Sequence, residues 1–210
     1  MRKFKTFVDM DKEEEYLNEM AKRGFVLKKY SSLGVYTFVK GASIDLHYRV
    51  DYRVFKNKRD FQEYKILFED AGWEHVSGTK FSGGQFFIPK IPNIGLQDIF
   101  SDTESKLARY KRFINQCIYS CMGMVVYMFI LLSQYGFNFS NLNWIYLTPG
   151  LWEKNGGDFW RSFIFETPFV VLRVLPFIIF MIFMIKCGYW AFEAKKIYNE
   201  SLSENKNNCL

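Results

Sequence analysis

The chain has 210 residues, enough for one or two domains, and 28 Lys+Arg against 22 Asp+Glu give a formal net charge of +6. Up to Arg112 there are 21 cations against 16 acids, and from Phe113 onward 7 against 6, so the excess belongs to the first part. An excess this small and this mixed excludes the clustered basic face of a nucleic-acid binder and suits mild attraction to anionic lipid headgroups.

The mean hydropathy of −0.11 averages a charged first half and an apolar second half. Four cysteines (Cys117, Cys121, Cys187 and Cys209) form no C-x-x-C pair and no secreted-style framework, so reduced thiols are expected. The start, Met1-Arg2-Lys3-Phe4-Lys5-Thr6, lacks the apolar core of a signal peptide. The first apolar segment therefore reads as an internal anchor.

Residues 1–90 read as short strands alternating with two helices. Lys3 to Val8 alternates apolar and polar residues. Asp11-Lys12-Glu13-Glu14-Glu15 then opens a helix with acids at its positive end. Tyr16, Leu17, Met20 and Ala21 form its inward face, and Gly24 stops it. Phe25 to Tyr30 and Val35 to Lys40 follow as strands around a Ser-Ser-Leu-Gly turn. Leu46, Tyr48, Val50, Tyr52 and Val54 alternate with Asp45, His47, Arg49, Asp51 and Arg53, a half-buried strand. A second helix covers about 58–71, with Phe61, Tyr64, Leu67, Phe68 and Ala71 on one face and Gly72 as its stop. Trp73 to Val76 and Gly84 to Ile88 complete the pattern, and Pro89 closes it.

The order is βαββ followed by βαββ. The expected class is α+β, a mostly antiparallel sheet with two helices covering one face, followed by a two-helix transmembrane hairpin. Leu17…Met20-Ala21…Gly24-Phe25 echoes Leu67…Ala71-Gly72-Trp73. An internal duplication and a shared way of stopping helices would both produce that echo. Residues 91–112 form a linker with Pro92, Asn93 and Gly95, then a juxtamembrane helix from about Glu104 carrying Lys106, Arg109, Lys111 and Arg112.

No Asp, Glu, Lys or Arg occurs from Phe113 through Trp152. The first half of that run, 113–132, is long enough to cross about 30 Å of hydrocarbon at about 1.5 Å per residue. Cys117, Ser120, Cys121 and Gly123 make a small-residue stripe on it, suited to packing against another helix. The second span is its simplest partner; a second copy of the chain is the other. Residues 133–167 form an outer loop rich in aromatics, among them Tyr135, Phe137, Phe139, Trp144, Tyr146, Trp152, Phe159 and Trp160. These suit a segment lying along headgroups, or a lipid- or peptide-sensing surface. Glu166-Thr167-Pro168 reads as the start of the second span, 168–192, with Thr167 as N-cap and Pro168 in the first turn. Only 12 uncharged residues separate Arg173 from Lys186, too few to span alone, but both cations can snorkel toward opposite interfaces. The other reading pairs Arg173 with Glu166. Lys195 and Lys196 open a polar tail, 193–210. With Lys106, Arg109, Lys111 and Arg112 before the first span, the positive-inside rule puts both termini in the cytoplasm of a multi-pass membrane protein.

Catalytic chemistry has little to stand on. His47 and His75 are the only histidines and no Cys lies in the first 90 residues, so no metal site or cofactor is expected. Gly83-Gly84 reads as a hairpin turn rather than a phosphate loop. No Ser or Cys sits in a nucleophile elbow. The strongest candidate for a ligand or partner surface is the polar side of the fourth strand: His47, Arg49, Asp51 and Arg53. A solvated face whose charges pair across strands fits the same spacing.

The stretches Lys12-Glu13-Glu14…Leu17-Asn18-Glu19-Met20-Ala21-Lys22-Arg23-Gly24-Phe25, Tyr48-Arg49-Val50-Asp51-Tyr52 and Leu67-Phe68-Glu69-Asp70-Ala71-Gly72-Trp73-Glu74, with Gln85-Phe86-Phe87, resemble the DUF2812 family. Tyr16 and Phe25 stand where that family usually has Trp. The resemblance covers about 4–90. It implies a bacterial protein, mostly of Firmicutes, that pairs this module with C-terminal membrane helices in the cell membrane and is often encoded beside PadR-like regulators. It implies no activity.

Three functions follow from these features. The first is a non-catalytic, membrane-anchored sensory or regulatory module that binds a protein partner, a PadR-like regulator being one option. The second is an accessory or immunity subunit of a membrane transporter. The third is an enzyme on a membrane substrate, which needs His47, Arg49 or Asp51 for activity.

Overall fold

The computed structural model describes residues 1–91, 98–100, 102–134 and 146–208. Pro92, Asn93, Gly95, Tyr135, Phe137, Phe139, Trp144 and Cys209, named above, lie outside the described residues. The elements are β1 (Arg2–Phe4), α1 (Met10–Lys22), β2 (Phe25–Ser31), β3 (Val35–Lys40), β4 (Arg49–Tyr52), α2 (Lys58–Asp70), β5 (Trp73–Ser77), β6 (Gly84–Pro89), α3 (Thr103–Gln134) and α4 (Gly156–Asn208). The chain divides into two compact units: Met1–Gln116 with Trp190–Leu210, and Cys117–Tyr189.

The first unit is α+β, and its βαββ-βαββ order is the expected one. Its strands form two three-stranded antiparallel sheets, β1-β3-β2 and β4-β6-β5, with the same internal order in each half. The agreement goes residue by residue. α1 and α2 each have 13 residues, capped by Asp9 and Asn57, which stand 48 positions apart. Gly24 (φ 79°) and Gly72 (φ 88°), also 48 apart, stop them in the left-handed region that glycine enters without steric cost. Ladder irregularities fall between Leu27 and Lys29 and between His75 and Ser77, again 48 apart. A common way of stopping helices explains the glycines but not matching bulges and strand orders. Internal duplication explains all of them.

β2 and β5 lie side by side, and the Tyr30 amide donates to Ser77 Oγ at 2.7 Å. The two helices do not share a face. Val50 and Phe86 point into a core with Leu17, Met20 and Ala21 of α1 and Tyr36 and Phe38 of β3. Phe87, one residue on, points the other way, against Tyr64 and Phe68 of α2 with Phe55 and Trp73. Phe86 and Phe87 are both fully buried, so β6 is covered on both sides. This corrects the expectation of one sheet with a bare polar face: α2 occupies that face in the second half.

The unit also continues past residue 90. Leu107, Tyr110 and Ala194 are buried in the first core, with Phe113, Ile114, Ile197 and Tyr198 packed against it. The residues from Lys195 on are helical through Asn208, with Lys196 and Glu200 paired one turn apart.

In the second unit α3 and α4 pack as a helical hairpin, with Tyr127 and Phe180 ring centroids 5.3 Å apart. Thr103–Ile130 and Gly156–Glu204 are long and apolar enough to cross a membrane. Their apolar side chains stand outward, Phe129, Leu172 and Ile185 among them, unlike those of a buried core helix. α4 does not begin at Pro168. It starts twelve residues earlier, at Gly156, and carries Pro168 and Pro176 inside it. Thr167 is no cap; its hydroxyl donates to Phe163 O, one turn back, at 2.6 Å. Glu166 accepts from the Leu147 amide and from the amide and hydroxyl of Thr148, fastening that segment to the helix. Tyr146, Trp152, Phe159 and Phe163 stack beside it.

Candidate functional site

The densest polar chemistry lies where α1, β4 and the first turns of α3 meet. β4 is an outer strand, paired on one side only, by β6. Its free side exposes the backbone of Val50 and Tyr52, and an unpaired edge must be covered or it recruits other strands. Here side chains cover it. The Val50 amide donates to Glu14 Oε1 at 3.0 Å, and Val50 O accepts from Arg109 Nη1 at 2.8 Å. Tyr52 O accepts from Arg112 Nε at 2.6 Å, and the Tyr48 amide donates to Asn18 Oδ1 at 2.7 Å.

Arg109 is the centre of the arrangement and is wholly buried. Besides Val50 O it donates from Nη1 to Glu14 Oε1 at 2.9 Å and from Nη2 to Asp11 Oδ1 at 2.7 Å. Its guanidinium lies 5.3 Å from the ring centroids of both Phe100 and Tyr110. A planar fork with several donors can meet two carboxylates and a carbonyl together, which a lysine could not. The Tyr110 hydroxyl accepts from the Met10 amide at the start of α1. Among the described residues, the buried side-chain nitrogens without a hydrogen-bond partner are Arg109 Nε and Arg49 Nε, the latter 3.7 Å from Asp98 Oδ1.

The carboxylates respond to burial and charge in different proportions. Burial raises the pKa of Asp11, but Arg109 and Lys106 outweigh it and hold the group below its ordinary range. Burial wins at Glu14, which is raised in spite of Arg109, the Val50 amide and Arg49. Glu13 points into the core against the Tyr36 hydroxyl, and burial pushes it up to about 7. The acidic run of α1 therefore turns two of its carboxylates inward; only Glu15 stays exposed. Glu13 and Glu14 are structural, not merely complements to the helix dipole.

The polar stripe of the fourth strand is closed in part. Asp51 is 2% exposed and binds the Tyr64 hydroxyl at 2.8 Å and Arg112 Nη2 at 2.5 Å. Arg49 reaches Glu14 at 3.3 Å and Asp98 at 3.7 Å. Arg53 is exposed and lies over the rings of Phe55 and Tyr64. His47 is half-buried ahead of the strand. Asp51 is closed off by Tyr64 of α2, and Arg49 by Glu14 of α1 and by Asp98.

The juxtamembrane cations are also redistributed. Arg109 and Arg112 belong to the clasp on β4, and Lys106 bridges Asp11 and Asp98 at 3.0 and 3.6 Å. Lys111, Lys195 and Lys196 are exposed, and Lys196 pairs with Glu200. In the second unit Cys117 is hydrogen-bonded to Cys187, and Ser120 and Gly123 line a groove of about 510 Å³ between α3 and α4 with Tyr127 and Phe183. The small-residue stripe therefore meets α4 at its cysteine end and opens at Gly123. Cys117, Cys121 and Cys187 are free thiols.

Sequence reasoning missed the clasp, although a signal was present. Lys106, Arg109 and Arg112 recur every third residue, as do Asp11 and Glu14, so each set shares one helix face. Among the described residues no group of three or more His, Cys, Asp and Glu side chains could hold a metal ion. The carboxylates of the clasp face arginine and lysine instead. Chemically the arrangement holds elements together.

No curated protein and no solved structure matches the chain. One family model does match, over residues 9–122, and it is described as a protein of unknown function. That match runs from the cap of α1 to the middle of α3, so every residue of the clasp lies inside it. Covering more than half of the sequence, it makes this chain a member of the DUF2812 family.

Proposed function

We propose that the protein is a non-catalytic, membrane-anchored regulatory module whose cytoplasmic α+β unit binds a protein partner and passes its conformational state to the paired apolar helices. One observation carries the reading: Arg109 sits on the same continuous helix as the first apolar span, yet is buried against α1 and β4. A passive tether needs no such contact. A clasp made of buried charges has few intermediate states, because removing one partner leaves a charge unpaired at about 3–5 kcal/mol. A partner that shifts α1 or β4 therefore acts directly on the root of α3.

The reading is tested by affinity purification of the intact protein from native membranes, beside Arg109→Lys. The substitution keeps a cation but loses the fork that meets Asp11, Glu14 and Val50 O together. A soluble regulator recovered with the parent and reduced severalfold with Arg109→Lys is the expected result. The groove at Gly123 favours a second reading, an accessory or immunity subunit of a transporter. Recovery of a transport subunit, equally with both proteins, decides for it. Recovery of no reproducible partner overturns both.

A further inference from the structure

We infer that one end of the α+β unit is a lipid-docking surface, in which the hairpin tips 31–34 and 78–83 sit in the anionic headgroup layer of the bilayer that the apolar helices cross. The inference builds on the membrane anchoring proposed above.

The direction comes from α3 within this unit. Lys106 reaches Asp11, Arg109 reaches Val50 O, Arg112 reaches Tyr52 O, and the Phe113 ring meets that of Tyr52 edge-on at 5.0 Å. α3 thus runs beside β4 in the same sense, and the chain leaves the unit beyond the C-terminal end of that strand. Tyr52 pairs with Gly84, and the Arg53 amide donates to Gly83 O, so the 78–83 turn lies at this end. Tyr30 contacts Phe86 and Ser77, which brings the end of β2 and the 31–34 turn there too. Phe4 pairs with Val35, and the Lys5 amide donates to Gly34 O.

What these segments expose is unusual for a solvated end. Leu33 is 74% exposed, Phe4 73% and Phe81 68%, all at turns or strand ends. The cations among them are Lys5, Arg53, Lys56, Lys58 and Lys80, and segments 4–7, 31–34, 53–58 and 78–83 contain no Asp or Glu. The opposite end, where Gly24 and Gly72 stop the helices, carries Glu19, Asp45, Glu69, Asp70 and Glu74 beside Lys22, Arg23, Lys40, Lys65 and Lys90, with Lys22 paired to Asp45 and Arg23 to Glu19. Apolar tips ringed by cations at the end where α3 leaves the unit suit an anionic interface, where apolar area and cations act together. The far end has no such excess of cations.

The test uses the full chain in lipid nanodiscs, either mixed phosphatidylglycerol and phosphatidylcholine or phosphatidylcholine alone, with amide hydrogen exchange as the readout. Tip amides at 32–34 and 79–83 are expected to exchange about tenfold more slowly in the anionic discs at low salt, the difference shrinking as salt rises. The doubly substituted Leu33→Glu, Phe81→Glu protein should lose the effect, and Ile44→Glu at the far end should keep it. Unchanged exchange at Phe86 and Phe87 certifies that each variant is folded. Equal tip exchange in both lipids, with the protein incorporated, overturns the inference. Slowing that is indifferent to lipid charge and survives the double substitution also overturns it, since it points to a protein cover. Failure to incorporate into discs at all sinks the membrane anchoring instead.

Discussion

Glu13 and Glu14 are neighbours on one helix turn, but the side chains leave it in different directions. Glu14 meets two arginines and a backbone amide. Glu13 meets the Tyr36 hydroxyl in an apolar core, with Arg109 attracting it and Glu14 as a like charge. Burial, and secondarily Glu14, moves its pKa from 4.5 to about 7. A carboxyl raised on folding keeps its proton in the folded chain while the unfolded chain has released it. Its contribution to stability is therefore complete below pH 4.5 and is lost as pH climbs through 7. The loss is on the order of 3 kcal/mol for a shift of this size. Glu13→Gln should remove this part of the pH dependence and be the more stable protein at pH 8. Urea unfolding of the intact protein in mild detergent at pH 5 and pH 8 measures it; an equal pH response in both proteins refutes the assignment. At this scale little was legible. A glutamate in a first turn is ordinarily a solvated complement to the dipole, and only the fold reveals that Tyr36 waits opposite.

Much more of each element was written in the sequence. Alternation from Leu46 to Val54, the stops at Gly24 and Gly72, and the inward faces of both helices depend on nearest neighbours along the chain, which sequence carries directly. The side of the sheet that each helix covers depends on the crossing of distant segments, and there the pattern was ambiguous. Val50 and Asp51 are adjacent and both buried, one in a core and one in an ion pair, so polarity along β4 does not distinguish outside from inside. Gln85-Phe86-Phe87 held the better clue: two consecutive buried rings require cover on both faces. The edge of β4 leads to a prediction. A chain ending at Lys90 keeps every strand but loses Arg109 and Arg112, leaving Glu14, Asp51 and two backbone carbonyls without those donors and the edge open. It should form large assemblies on size exclusion, and extension to Gln116 should reduce them. A chain ending at Lys90 that is monomeric with native exchange protection at Val50 would show the clasp to be dispensable.

At the scale of the whole molecule the clasp bears on how the protein enters its membrane. The positive-inside rule counts Lys and Arg near the ends of a span in the nascent chain, before any of them is paired. On that rule Lys106, Arg109, Lys111 and Arg112 would hold the N-terminal side in the cytoplasm during insertion, although Arg109 and Arg112 serve β4 in the folded chain. Folding then reinforces the choice: with Arg109 docked on α1, carrying this side across would mean breaking a buried ion network. The segment between the spans has a weaker pull, since it carries two cations, Lys154 and Arg161, against the four before the first span. Both termini should thus face the cytoplasm. Alkaline phosphatase inserted at Asn155, beside the start of α4, should be active, and the same enzyme fused after Leu210 inactive. The reverse pattern would refute the orientation, and activity at both sites would mean that α4 does not cross. Replacing Lys195 and Lys196 by Gln separates the two contributions. If insertion charge alone sets the topology, the C-terminal reporter becomes partly active. If the docked module sets it, with Ala194 and Ile197 packed in its core, the reporter stays silent. The burial of Arg109 makes the silent outcome the expected one.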